Sequence, residues 1–190
     1  GREVQLRTDR ELAHPRPGQP WCYEVKGVLR FYWETGLSTV YYEFDSLGNP
    51  VLLSFWFVHL LLPLYFSLQG TYEFLHAGAV ELNEKPILFI APSMGGKSTL
   101  TDYFIRRGHP MISDDKVPAT IERGYFLVGG SHPFHRPYRK FEELGYRVKR
   151  FAPEFRPLGT IYLLDRCGPR EAVSIDEIKG FRKFNALMPN

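Results

Sequence analysis

Apolar and polar positions along the chain fall into several distinct regimes. From Trp21 to Phe44 aromatic and β-branched residues interleave with polar ones and are broken by Gly27 and Gly36, a pattern that predicts strands over 24–33 and 38–44. Ser46-Leu47-Gly48-Asn49-Pro50 is a turn cluster. Val51 to Ser67 then runs 17 residues without a formal charge and predicts a buried helix: it is at the short limit for a bilayer, holds Ser54, His59 and Pro63, and has no clear Lys/Arg flank. His59 is expected to be a core or boundary histidine, since no second metal ligand sits a helical turn away. Residues 1–20 are polar, carry Pro15, Pro17 and Pro20, and predict an arm before a single domain over 21–190.

After Gly70 the pattern changes to short strands. Phe74 to Leu82 and Pro86 to Ala91 predict a hairpin closed by Asn83-Glu84-Lys85, and the second strand is apolar on both faces, as a central strand would be. Ala91 to Ser98 follows at once and reads A-P-S-M-G-G-K-S, the pattern G-x-x-x-x-G-K-[ST] with Ala91 in place of the first glycine. In such a loop Gly95 and Gly96 let backbone N–H groups turn toward phosphate oxygens, Lys97 neutralises the phosphates, and Ser98 offers its hydroxyl to Mg²⁺. The helix that follows has Leu100, Tyr103 and Phe104 on one face, Arg106 and Arg107 at its C-terminal end, and Gly108 to stop it. Strand, loop and helix in this order predict an α/β nucleotide-binding domain.

Asp114 and Asp115 lie only 17 and 18 positions after Lys97, on a strand that returns from the loop helix and is expected to end there. One carboxylate of such a pair could hold Mg²⁺ while its neighbour takes a proton from an attacking hydroxyl. Adjacent strand residues point to opposite faces, so the two cannot share a role unless the chain turns at that point. His76, on the first strand of the hairpin, reads from the residues alone as structural. Downstream, His132, His135, Arg136, Arg139 and Lys140 sit in a stretch broken by Pro133 and Pro137. Its positive charges could clamp a phosphate or an acidic peptide, though such runs are usually solvated faces, and two histidines three apart across a proline are a weak zinc pattern. Leu158 to Leu164 predicts another strand, and Ser174 to Glu177 reads as a capping box opening a final helix to about Leu187.

Composition bounds the reading without directing it. A net charge of +3 over 190 residues gives no ground for a nucleic-acid partner. Two cysteines, Cys22 and Cys167, are too few for a disulfide framework; with no signal-peptide pattern at the start they suggest a cytoplasmic protein, and no membrane partner is expected.

Taken together, L-H-A-G-A-V (75–80), A-P-S-M-G-G-K-S-T-L (91–100) and R-R-G-H-P-M-I-S-D-D-K-V (106–117) resemble the catalytic domain of the HPr kinase/phosphorylase superfamily over about residues 55–120. The resemblance implies a P-loop domain related to phosphoenolpyruvate carboxykinase, a mixed β-sheet with flanking helices, and a kinase that uses ATP and Mg²⁺ to phosphorylate a serine of a protein or peptide. It implies nucleotide contacts at Ser93, Met94, Gly95, Gly96, Lys97, Ser98 and Thr99, and Mg²⁺ contacts at Ser98 and Asp115. Asp114 would activate the substrate hydroxyl, with His76 close to it tuning its protonation. A homo-oligomer is also implied, and against such relatives the chain looks shortened at its C-terminus. Two departures stand out: Ala91 and Met94 replace glycines of the family loop, and the glycine-rich signature of the bifunctional enzymes is absent after the acid pair, where Gly129 to Gly145 reads G-G-S-H-P-F-H-R-P-Y-R-K-F-E-E-L-G. The second disfavours HPr as substrate and phosphorylase activity. The alternatives are a nucleotide-binding switch without kinase activity and a small-molecule kinase.

Overall fold

The computed structural model describes residues 4–8, 20–137, 140–168 and 170–187. The chain divides into two compact units, Gly1–Glu73 with Tyr138–Gly145, and Phe74–Pro137 with Tyr146–Asn190.

The first unit is built on a four-stranded antiparallel sheet in the order β1 (Val4–Thr8), β2 (Pro20–Val25), β3 (Leu29–Glu34), β4 (Val40–Phe44). β1 falls within the segment expected to be an arm; residues 9–19, with Pro15 and Pro17, lie outside the described residues. The single strand expected over 24–33 is in fact a turn and a strand, because Gly27 takes a φ of 77° and the Val28 N–H closes back on the Val25 carbonyl at 2.9 Å. Strict alternation places Trp21, Tyr23 and Val25 opposite Trp33, Phe31 and Leu29 on one face, and all six are buried. The Trp21 and Trp33 rings stack at 6.2 Å, and the Trp21 indole N–H finds Thr35 Oγ1 at 2.9 Å.

The apolar segment forms a helix with an interruption: α1 (Pro50–Trp56), a π-helical segment Phe57–Leu61, and α2 (Leu62–Leu68). Asn49 caps it, its Oδ1 accepting the N–H groups of Val51 and Leu52, with Pro50 in the first turn where no N–H is needed. The π segment precedes Pro63, which cannot donate to the carbonyl four residues back; the Leu62 N–H instead reaches Phe57 O, and the wider turn absorbs the proline. Burial is confined to one side: Phe55, Trp56, His59 and Leu61 join the core, while only 28% of the most apolar 18-residue window is buried, so the helix is not the wholly buried one expected. By length and composition alone this helix is able to cross a membrane. Residues 140–145 return to this unit and pack on the helix: Phe141 meets Phe55 and Trp56, the Trp56 indole donates to Glu142 Oε1 at 3.0 Å, and His59 Nε2 lies 3.0 Å from the Leu144 carbonyl.

The second unit is a six-stranded mixed sheet. Its strands are β5 (Glu73–Leu82), β6 (Lys85–Ile90), β7 (Met111–Glu122), β8 (Tyr125–Val128), β11 (Arg156–Pro157) and β12 (Thr160–Leu163), in the order β11-β8-β7-β5-β6-β12. α3 (Lys97–Arg106) follows β6, and β9 (Phe134–His135) pairs with β10 (Tyr146–Arg147) as a separate ribbon. The predicted hairpin is present: β5 and β6 are antiparallel, joined through Asn83 and Glu84 at φ 51° and 62°. Arg123 and Gly124 make the same kind of two-residue turn between β7 and β8, whose positive φ values match the twist of the flanking strands. β12 lies parallel to β6, so the chain after β12 emerges at the end of the sheet from which the loop to α3 leaves.

Only part of the last expected helix exists. α4 covers Arg182–Leu187, and the Ser174 hydroxyl bonds the Asp176 side chain at 3.2 Å rather than capping a helix; Gly180, at φ 60°, separates the two stretches.

α3 approaches β5 at Gly78. A Cβ there would lie 2.2 Å from Thr101 Oγ1, which is fully buried and donates to the Lys97 carbonyl at 2.9 Å. Gly78→Ala is therefore expected to destabilise the chain by about 1–3 kcal/mol, read as a lower urea midpoint at unchanged slope.

Candidate active site

The loop between β6 and α3 is shaped by three residues. Gly96 caps α3 in the left-handed region at φ 94°, and a Cβ there would meet nothing within 4 Å. Gly95 is excluded from carrying a side chain for another reason: its Cβ would sit 2.6 Å from the Ala91 Cβ and 2.9 Å from the Pro92 carbonyl. Ala91, the departure from the usual glycine, is buried with its methyl against this gap, so the missing side chain at Gly95 accommodates it. Met94 stands at φ 62°, where glycine is favoured, and its side chain is 87% exposed. Met94→Gly is expected to relieve that strain at no cost in packing and to raise stability by up to about 1 kcal/mol, measured as a higher urea midpoint.

Lys97 is buried, and its ammonium donates to the Ala91 carbonyl at 2.6 Å and lies 3.3 Å from that of Pro92. The lysine is thus held against the inside of the loop it follows. Ser93 and Thr99 are exposed on the loop and on the first turn of α3. Arg166, beyond β12, donates from Nη2 to the Met94 carbonyl at 3.0 Å and ties down the loop tip; nothing in the local sequence marked it.

The two aspartates do not end a short strand. They lie inside the twelve-residue β7, and Asp115 adopts φ 88°, a local turn in the strand that relaxes the strict alternation of faces. Asp114 is 5% exposed and faces α3: its Oδ1 accepts the Ser98 hydroxyl at 3.3 Å. Its Oδ2 accepts the Arg136 N–H at 2.9 Å and lies 2.7 Å from His135 Nδ1. Asp115 Oδ1 pairs with His76 Nδ1 at 3.1 Å.

The histidine bonded to Asp114 is His135, whereas His76, expected beside Asp114, pairs with Asp115. Ser98, expected to share a cation with Asp115, has its hydroxyl on Asp114. From the sequence His135 reads only as one member of a basic stretch; nothing in it marks that β9 brings this residue back to β7. Arg136 contributes its backbone N–H, Lys140 belongs to the first unit and pairs with Glu143 at 3.6 Å, and Arg139 lies outside the described residues. His132 Nδ1 accepts the Phe134 N–H at 3.3 Å, and among the described residues no three His, Cys, Asp or Glu are grouped to hold a metal ion.

No family model matches the chain, and no curated protein matches it. Among solved structures, the Hpr(Ser) kinase/phosphatase from Coxiella burnetii is similar at 25% identity over 30% of this chain and 34% of its own, with a TM-score of 0.28. The chain therefore spans about a third of the length of that protein, and the chemistry of the site has to be argued from its own residues.

Proposed function

We propose that the protein is an ATP- and Mg²⁺-dependent kinase that transfers phosphate to a serine hydroxyl of a protein or peptide. The observation that carries this reading is the 3.3 Å contact between Ser98 Oγ and Asp114 Oδ1, which sets a carboxylate beside the hydroxyl at the start of the loop helix. The loop fits a polyphosphate: Gly96 leaves open space at the N-terminus of α3, and Lys97 is the cation next to it. Ser98 and Asp115 would hold Mg²⁺, which when bound neutralises charge on the phosphates. The resemblance of three sequence segments to the HPr kinase/phosphorylase superfamily favours a serine acceptor.

In this reading Lys97 and the loop N–H groups orient the γ-phosphoryl for in-line attack. Asp114 takes the proton of the attacking hydroxyl on Oδ1 as the new O–P bond forms and the bond to the β-phosphate oxygen breaks, leaving ADP and a phosphoserine. His76 keeps Asp115 oriented beside it.

The test is incubation of the purified chain with MgATP labelled at the γ-phosphate and a mixture of serine-containing peptides. Label on serine is the expected result. A chain that binds MgATP tightly, judged by calorimetry, and labels nothing would instead be a nucleotide-dependent switch, a reading favoured by the strained Met94 at the loop tip.

A further inference from the structure

The side of Asp114 turned away from Ser98 is occupied by a second network that the phosphoryl-transfer reading does not use. His135 is fully buried, with a carboxylate oxygen near each ring nitrogen: Asp114 Oδ2 lies 2.7 Å from Nδ1, and Asp102 Oδ1 lies 3.5 Å from Nε2, which has no hydrogen-bond partner. Nδ1 is thus placed to donate to the Asp114 carboxylate, while Nε2 faces the Asp102 carboxylate beyond hydrogen-bond geometry. Asp102 is itself fixed on both oxygens, Oδ1 by the Tyr146 hydroxyl at 3.0 Å and Oδ2 by Arg106 Nε at 2.7 Å. The edge of the Tyr146 ring packs on the imidazole at 5.4 Å, across the β9–β10 ribbon, where His135 and Tyr146 are register partners. Loss of hydration, and then the bond to Asp102, push the Tyr146 phenol up to about 12, so it remains a donor across the working range.

Asp102 stands four residues after Ser98 on α3, and residues so spaced share a helix face. One helix therefore reaches both oxygens of Asp114, Oδ1 directly through Ser98 and Oδ2 through Asp102 and His135. The same helix begins with Lys97. With Oδ2 held by His135 and the Arg136 N–H, Oδ1 is the oxygen turned toward Ser98 at the start of the loop helix.

We infer that His135, backed by Asp102, is a positioning residue that locks the Asp114 carboxylate so that Oδ1 is presented to the acceptor hydroxyl in register with the phosphate loop. This rests on the kinase reading above. It assigns to Asp102, His135 and Tyr146 a role in the reaction although none of them contacts the loop between β6 and α3.

The experiment compares wild type with His135→Ala, His135→Asn and Asp102→Asn, using MgATP and water as the acceptor and following phosphate release. His135→Ala is expected to lower kcat about 100-fold while KM for ATP stays within about twofold, because a loosened base loses turnover and not nucleotide binding. His135→Asn, whose side-chain N–H can replace Nδ1–H, is expected to recover kcat to within about fivefold of wild type. Asp102→Asn, a change outside the buried core, is expected to lower kcat with KM unchanged, which guards against loss of folding in the histidine variants. In the folded wild type, long-range ¹H–¹⁵N NMR is expected to show a proton on His135 Nδ1. An active wild type whose kcat is unmoved by His135→Ala, a failure of His135→Asn to restore turnover, or a bare Nδ1 would each overturn the inference. A wild-type chain that neither binds MgATP nor releases phosphate would overturn the kinase reading itself, while the NMR measurement still judges the hydrogen bond.

Discussion

Lys97→Ala is expected to reduce phosphate transfer from MgATP by about 10³-fold or more. Two effects add. The positive charge next to the phosphates disappears, and removing one such preorganised donor from a transition state costs about 10²–10³ in rate. The loop also loses its internal brace, because the Lys97 ammonium joins the carbonyls of Ala91 and Pro92 and holds the turn onto α3. The second effect is separable. Lys97→Arg keeps a charge but not the compact ammonium that fits between those two carbonyls, so it is expected to bind MgATP weakly and turn it over slowly. A calorimetric titration with MgATP beside a γ-label transfer assay checks both; near wild-type transfer by Lys97→Ala would refute the assignment of this loop to phosphate.

Asp114→Asn is expected to leave MgATP binding within a few-fold of wild type and to lower kcat by about 10²–10⁴. The hydrogen bonds around the carboxylate dictate how the amide sits. Oδ2 accepts from the Arg136 N–H and faces His135 Nδ1, so the amide oxygen takes that position and the amide nitrogen replaces Oδ1 opposite Ser98. The Ser98 hydroxyl can turn and accept from it. The fold is therefore retained, but the atom facing the acceptor hydroxyl becomes an N–H donor, which cannot take up a proton. Loss of turnover with KM for ATP preserved is the signature; equal losses in kcat and binding would place Asp114 in nucleotide binding instead.

What the sequence disclosed, and what it did not, follows from the range of the forces involved. The hairpin through Asn83-Glu84 and the step from β6 through the loop to α3 were legible because turn chemistry and strand-to-helix patterning are local. The return of the acid pair beside the loop helix required only that a strand run back past the helix it follows; that Ser98 meets Asp114 was not legible. His135 was hidden because its placement depends on β9 pairing with β10 and on a contact across 21 residues to Asp114. Gly27 breaks the pattern, but Val25 and Leu29 on either side read equally well as one apolar stretch, which hides the turn. The capping box at Ser174–Glu177 failed because capping only stabilises a helix whose apolar face has something to cover, and Val173 and Ile175 are 85% and 79% exposed. The π segment was not foreseen either; Pro63 signalled a disturbed helix but not which hydrogen bonds would shift.

The return of residues 138–145 to the first unit bears on how this protein can be divided. Neither half corresponds to an uninterrupted stretch of the gene. A fragment ending at Glu73 would lack the Glu142 carboxylate and the Leu144 carbonyl that Trp56 and His59 bond to, along with the Phe141 ring that covers them. A fragment beginning at Phe74 would carry Phe141 away from the ring cluster it completes, as an apolar side chain in a solvated loop. Expression of either half alone should therefore graft or delete the eight-residue insert deliberately, because the chain crosses between the units three times, after Glu73, Pro137 and Gly145.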